Sequence, residues 1–182
     1  MAEFISLLRG INVSGQKSIR MPELKNLYES LGFTEVRTYL QSGNVIFAPA
    51  GPDPDEMAAT IRTGIQRDFG FDVTVFVRDA DDFQWLLDKN PFLHGRSEDP
   101  TKLHVTFLSE PPAQEKLDSL VKPASGNDEF VIIGRDVFLF CPDGYGRTKL
   151  SNTFLERKLG LPATTRNWNT VNALLQMARQ GT

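Results

Sequence analysis

The sequence predicts an α+β protein made of two ferredoxin-like βαββα(β) halves from a duplication, followed by a C-terminal helix. Three observations lead there. Apolar strand runs and helical segments follow one another as strand, helix, strand, strand, helix. That order recurs in the second part of the chain, and the two hairpins end alike, Val45-Ile46-Phe47-Ala48-Pro49 against Phe138-Leu139-Phe140-Cys141-Pro142. The duplication rests on element order rather than on residue identity. With 182 residues, 40% hydrophobic and 24% charged, the chain has the composition of a packed protein, either one large domain or two small ones. The expected division is residues 1–78 for the first half, and residues 79–182 for the second half with its connecting and C-terminal helices.

Phe4-Ile5-Ser6-Leu7-Leu8 is an apolar run that reads as a buried strand, and it passes into Arg9-Gly10-Ile11-Asn12. Leu24, Leu27, Tyr28 and Leu31 then fall at helical spacing, with Pro22 suited to a first turn and Gly32 to the C-terminal end. Val36 to Leu40 and Val45 to Phe47 flank the polar Gln41-Ser42-Gly43-Asn44, where glycine supplies the positive φ of a hairpin. Met57, Ile61, Ile65 and Phe69 recur every four residues and predict a helix over 55–69, closed by Gly70, before a strand over 73–77.

In the second half a helix is expected over 81–88, stopped by Asn90-Pro91, and then a strand over 103–108. Pro111-Pro112 opens a helix carrying Leu117, Leu120 and Val121. Phe130 to Ile133 and Val137 to Cys141 form a hairpin across Gly134-Arg135-Asp136, and Asn152 is read as the cap of a helix that ends at Gly160. Thr164-Thr165-Arg166-Asn167-Trp168 leads into a last helix from about Asn169, its expected N-cap, with Val171, Leu174, Leu175 and Ala178 on one face.

A net charge of −3 removes the electrostatic case for a protein that coats nucleic acid or an anionic membrane, although a local basic pocket is compatible with it. The single cysteine, Cys141, forms no internal disulfide, and Met-Ala-Glu-Phe-Ile is no basic leader, so a cytoplasmic protein is expected. No apolar run approaches the ~20 residues that span a bilayer. His94 and His104, the only histidines, lack a ligating neighbour at metal-site spacing. Cys141 reads as a small buried apolar residue rather than a nucleophile, and Asp79, Asp81 and Asp82 as helix-start residues. No metal and no cofactor is expected.

The candidate site follows from the topology. In a ferredoxin-like unit the first and third strands are antiparallel neighbours, so Arg9 and Asn12 should approach Ser42, Gly43 and Asn44. A guanidinium, two amides, a hydroxyl and glycine-exposed N–H groups suit a phosphate or carboxylate. The alternative is that Ser42-Gly43-Asn44 is only a tight turn and Asn12 only a loop tie. Arg9 favours binding, because an arginine in the middle of an apolar strand needs a partner and no carboxylate is near it in sequence; a buried ion pair would remove that argument. Arg166 and Asn167, at the entry to a helix, form a candidate second half-site, against the alternative of a capped helix start with Arg166 in a surface ion pair.

Gly10-Ile11-Asn12-Val13-Ser14-Gly15-Gln16-Lys17-Ser18 imitates a phosphate loop. Gln16 stands where the lysine must be, and Pro22 places the helix later. Gly144-Tyr145-Gly146-Arg147-Thr148-Lys149 reads either as a lid or as a solvated connection.

Leu7-Leu8-Arg9-Gly10-Ile11-Asn12-Val13, Thr38-Tyr39-Leu40-Gln41-Ser42-Gly43-Asn44-Val45 and Thr165-Arg166-Asn167-Trp168-Asn169-Thr170, with Met21-Pro22-Glu23-Leu24, together resemble the bacterial family called domain of unknown function 1697. The resemblance runs nearly end to end and implies no activity, so function is argued from the residues. The leading expectation is binding of a small anionic ligand, a phosphorylated metabolite or nucleotide. The others are RNA or single-stranded DNA binding with Tyr39 and Phe47 stacking on bases, a protein-interaction module, and an enzyme on a small polar substrate with Tyr39 or Lys149 moving a proton. Oligomeric state is left open.

Overall fold

The computed structural model describes residues 3–122 and 126–181. The chain divides into two compact units, Met1–Trp85 with Ala173–Thr182, and Leu86–Asn172.

The first unit runs β1 (Phe4–Leu8), α1 (Met21–Ser30), β2 (Thr34–Tyr39), β3 (Asn44–Ala48), α2 (Pro54–Phe69) and β4 (Val75–Asp79). Its four strands form one sheet in the order β2-β3-β1-β4, every neighbouring pair antiparallel. This is the ferredoxin-like order. The strand β1 lies in the interior of the sheet and all five of its residues are buried, which is why it reads as an apolar run interrupted only by Ser6 rather than an alternating one.

Both helices obey their local signals. A proline sits in the first turn of each, and Gly70 closes α2 in the left-handed conformation, at φ 81°. Asp53 caps α2 by accepting from the amides of Asp55 and Glu56. Leu24, Leu27, Tyr28, Met57, Ile61 and Ile65 pack against Leu8, Val45 and Phe47 in one core. Inside it the Tyr28 hydroxyl and the Ser6 hydroxyl share a 2.7 Å hydrogen bond.

The second unit repeats the pattern with β5 (Leu103–Leu108), α4 (Gln114–Ser119), β6 (Glu129–Ile133), β7 (Asp136–Phe140), α5 (Asn152–Leu159) and β8 (Ala163–Asn167). The sheet order is β6-β7-β5-β8, again antiparallel throughout. Leu108, Val137, Leu139, Leu155, Leu159 and Ala163 form its core. The division between the units falls inside two helices, α3 (Ala80–Lys89) and α6 (Trp168–Gln180).

Several local expectations are corrected. Residues 164–167, read as leading into the last helix, belong with Ala163 to β8, paired with β5 at Thr106↔Thr165. The cap of α5 is Ser151, whose hydroxyl accepts from the Phe154 amide, and not Asn152. The amide of Asn152 instead joins Glu156, the Ala163 carbonyl and Thr165. Likewise the Asn167 side chain accepts from the Thr170 amide, so α6 is capped two residues before Asn169. The helix α4 ends at Ser119 and leaves Val121 74% exposed. No helix among the described residues is long and apolar enough to cross a membrane.

Candidate functional site

The end of the first sheet gathers most of the residues singled out from sequence. Where β1 ends, its chain is held from both sides: the Leu8 amide donates to the Gly43 carbonyl at 2.8 Å and the Arg9 amide to the Thr74 carbonyl at 3.0 Å. Register pairs Leu7 with Asn44, so the hairpin turn Gln41–Gly43 lies beside the start of the loop after β1. The expected approach of the two segments is thus realised.

Asn12 organises that loop. Its Nδ2 donates to the carbonyls of Ile19 and Gln41 at 3.0 and 2.7 Å, and its Oδ1 accepts from the Ile19 amide at 2.8 Å. Its own amide donates to the Lys17 carbonyl at 3.1 Å. One side chain therefore closes the loop on itself and ties it to the hairpin, the role an amide fills well because it offers both donors and an acceptor.

Asn44, fully buried, does the same for the turn, donating to the Tyr39 carbonyl at 2.7 Å and the Ser42 hydroxyl at 3.0 Å. Gly43 is required twice over. Its φ is 85°, and a Cβ there would lie 2.7 Å from Ile11 Cδ1 and 2.8 Å from Leu8 Cβ.

The backbone here is unusual. Five described residues other than glycine have positive φ, and four of them, Asn12, Ser14, Lys17 and Leu40, lie in this loop and turn. Such conformations persist only where the surroundings over-determine them, and they concentrate at functional sites. Two large apolar side chains in the same place are turned to solvent, Val13 at 58% and Leu40 at 54% exposure.

Cations complete the site. Lys17 donates from Nζ to the Asp72 carbonyl at 2.7 Å, and the Asp72 carboxylate takes a two-pronged pair from Arg62, 2.6 Å at each contact. That Arg62 pair, with a smaller contribution from Lys17, holds the Asp72 carboxyl below its ordinary value. Arg9 is half-buried and Ser42 exposed. Lys17, Asp72, Val13 and Leu40 were not read from sequence as part of the site. The one available signal was Ser14-Gly15 inside the false phosphate loop: Val13 and Gln16 bridge across it, and the next helix waits until Met21.

Arg166 and Asn167 lie in the second unit. Arg166 is buried on β8, donating from Nη1 to the Thr164 hydroxyl at 2.7 Å and the Thr165 carbonyl at 3.0 Å, and burial pulls its guanidinium down to about 10. Asn167 is the cap of α6. Of the two aromatics considered for base stacking, Phe47 is fully buried, between Tyr28 and Phe33.

Burial pushes the Cys141 thiol up, against the opposing pull of a hydrogen bond with Thr148. His104 is buried and stacked on Tyr145 with ring centres 4.6 Å apart, and burial lowers its pKa. Asp79 accepts from the Asp82 amide at the start of α3. No group of three or more His, Cys, Asp or Glu among the described residues is placed to hold a metal ion.

Fold and site together define an α+β protein of two ferredoxin-like units, with a clamped, strained loop at one end of the first sheet. The chain belongs to the family described as protein of unknown function (DUF1697), whose model matches residues 1–138. Among solved structures it is similar to the conserved bacterial protein SP0830 from Streptococcus pneumoniae, at 22% identity and a TM-score of 0.75 over 97% of this chain and 98% of that one. That likeness is one of fold. No curated protein matches the chain.

Proposed function

We propose that the loop and turn at the end of the first sheet bind a small anionic ligand, a phosphorylated metabolite or nucleotide. In this reading Arg9 and backbone N–H groups of the exposed residues 13–15 take the anion. Asn12, Gly43 and Asn44 are the frame that holds those donors in place, Ser42 adds a hydroxyl, and Val13 and Leu40 pack on the ligand's apolar part. Arg166 and Asn167 serve the second unit's own framework in this reading.

The observation that carries it is the convergence of four positive-φ residues and two exposed apolar side chains on one clamped loop, with Arg9 at its start and Lys17 within it. A loop needed only to connect β1 to α1 has no use for that strain. The same exposed Val13 and Leu40 favour a second reading, in which the loop docks a partner protein. A cytoplasmic location belongs to the proposal, supported by a single, buried cysteine.

A thermal-shift screen of the protein and its Arg9→Ala variant, against phosphates, nucleotides, sugar phosphates and carboxylates at low salt, tests it. A ligand at 100 times its Kd stabilises by about 2.7 kcal/mol, a shift of roughly 5–10 °C at this size. A hit lost in the variant supports the anion site. A flat screen with both proteins folded transfers the assignment to a protein partner.

A further inference from the structure

The second unit contains a pocket of about 370 Å³ lined by Lys149, Ser151, Thr153, Phe154 and Arg157. That volume falls in the lower part of the range for small-molecule sites. The chain as a whole is acidic, yet residues 147–158 carry four cations, Arg147, Lys149, Arg157 and Lys158, against one carboxylate, Glu156.

Glu156 is committed elsewhere. Its Oε1 accepts from the Asn152 amide at 3.0 Å and its Oε2 from the Ala163 amide at 3.4 Å, which ties it to the start of β8. Lys149 and Arg157 have no carboxylate partner among the described residues. Two cations lining one concavity without a counter-ion repel each other, and a bound anion relieves that repulsion.

The pocket also has an aromatic wall. Phe154 is half-buried, with Arg157 Cζ 5.8 Å and Lys158 Nζ 5.9 Å from its ring centre, at the outer limit of cation–π contact. The Thr153 hydroxyl, exposed at the rim, adds a donor. The loop carrying Lys149 is anchored: Tyr145, in its short helical turn, accepts from the Asn152 amide at 3.1 Å, and Thr148 donates to Asp128 at 2.6 Å. The cation is thus presented by a fixed segment.

We infer that this pocket binds a nucleoside monophosphate, its phosphate held between Lys149 and Arg157 and its base laid on Phe154. Planar bases stack on aromatic rings whatever their edge pattern, and a guanidinium matches phosphate in a way a solvated surface lysine alone does not. The inference is independent of the Arg9 loop.

The test is an amide-resolved NMR titration of the full chain with AMP, adenosine, inorganic phosphate and a ten-residue oligothymidylate at low salt. The expected result is saturable shifts at Lys149, Thr153 and Arg157 with AMP, tighter than with phosphate or adenosine. Those shifts should persist in Arg9→Ala and weaken at least tenfold in the Lys149→Ala/Arg157→Ala variant, whose exposed substitutions leave the fold intact. Phe154→Leu should weaken AMP several-fold and phosphate little. The inference is overturned if AMP moves none of these amides in the wild type, if the double variant binds as well as the wild type, or if the oligothymidylate binds there tenfold more tightly than AMP.

Discussion

Gly43 sits so close to Ile11 that a Cβ on it would meet Ile11 Cδ1 at 2.7 Å. The hairpin turn and the loop after β1 are therefore packed against each other as one body, and the absence of a side chain at Gly43 is what lets them close. Gly15, by contrast, has a similar φ of 73° and nothing within 4 Å of its virtual Cβ.

That contrast separates two effects of the same substitution. Gly15→Ala incurs only the conformational term, about 1 kcal/mol. Gly43→Ala adds overpacking against Leu8 and Ile11, for a total loss of about 2–4 kcal/mol. Urea unfolding midpoints of the two variants check the order, and equal midpoints would contradict the packing.

The Asn12 clamp makes a second prediction. Asn12→Gly suits the local φ of 55° but removes three side-chain hydrogen bonds, so its stability cost, about 1–3 kcal/mol, reports loss of the clamp together with the larger unfolded-state entropy of glycine. Because Ile19 donates its amide to Asn12, hydrogen exchange at Ile19 should accelerate far more than exchange in β3. Unchanged protection at Ile19 would show that the loop holds without the amide.

Tyr28 gives a prediction at alkaline pH. Its hydroxyl is buried, and burial raises its pKa above the ordinary 10, outweighing the hydrogen bond with Ser6. The folded protein therefore keeps Tyr28 protonated where an unfolded chain would ionise it. Its stabilisation is complete below about pH 10 and is lost as pH rises beyond that. Of the three tyrosines, one should ionise only together with alkaline unfolding, as a step in phenolate absorbance that coincides with loss of ellipticity. In Tyr28→Phe that step should vanish.

The parts of this molecule legible in the sequence are those written locally. The apolar run 103–108 has the bounds of β5, and Gly70 and Gly160 stand where α2 and α5 end. The strand β8 was missed because Ala163-Thr164-Thr165-Arg166-Asn167 has no apolar run; it is held by pairing to β5 and by Thr165 bonding with Thr106 and Asn152. Both misplaced caps lie beside other cap-forming residues, Ser151 next to Asn152 and Asn167 near Asn169, and only the folded chain decides which side chain is spare.

The site divides in the same way. Pairing of the first and third strands follows from topology, so the meeting of residues 8–12 with 41–44 could be read in advance. The links that shape the loop could not: Asn12 reaches Gln41 and Lys17 reaches Asp72, 29 and 55 residues away. Arg166 reads from sequence as half of an anion site at a helix entry or as one partner of a surface ion pair, and on β8 it is buried instead.

His104 supplies the last prediction, at the acid side. It packs on Tyr145, its Nδ1 is buried without a hydrogen-bond partner among the described residues, and burial lowers its pKa below the ordinary 6.5 in spite of a contribution from the Lys102 backbone that raises it. Between the lowered folded value and 6.5 the unfolded chain binds more protons than the folded one, so this histidine makes stability fall as pH drops through that window and adds no further loss below it. His104→Phe keeps an aromatic ring against Tyr145 and removes both the titration and the unpartnered nitrogen. The variant should match or exceed the wild type in urea midpoint at pH 7, and its advantage should grow as pH falls below 6.5. His94 is common to both proteins and cancels in the difference. A constant offset across that range would mean that His104 charges freely in the folded state, through an opening of the Tyr145 turn.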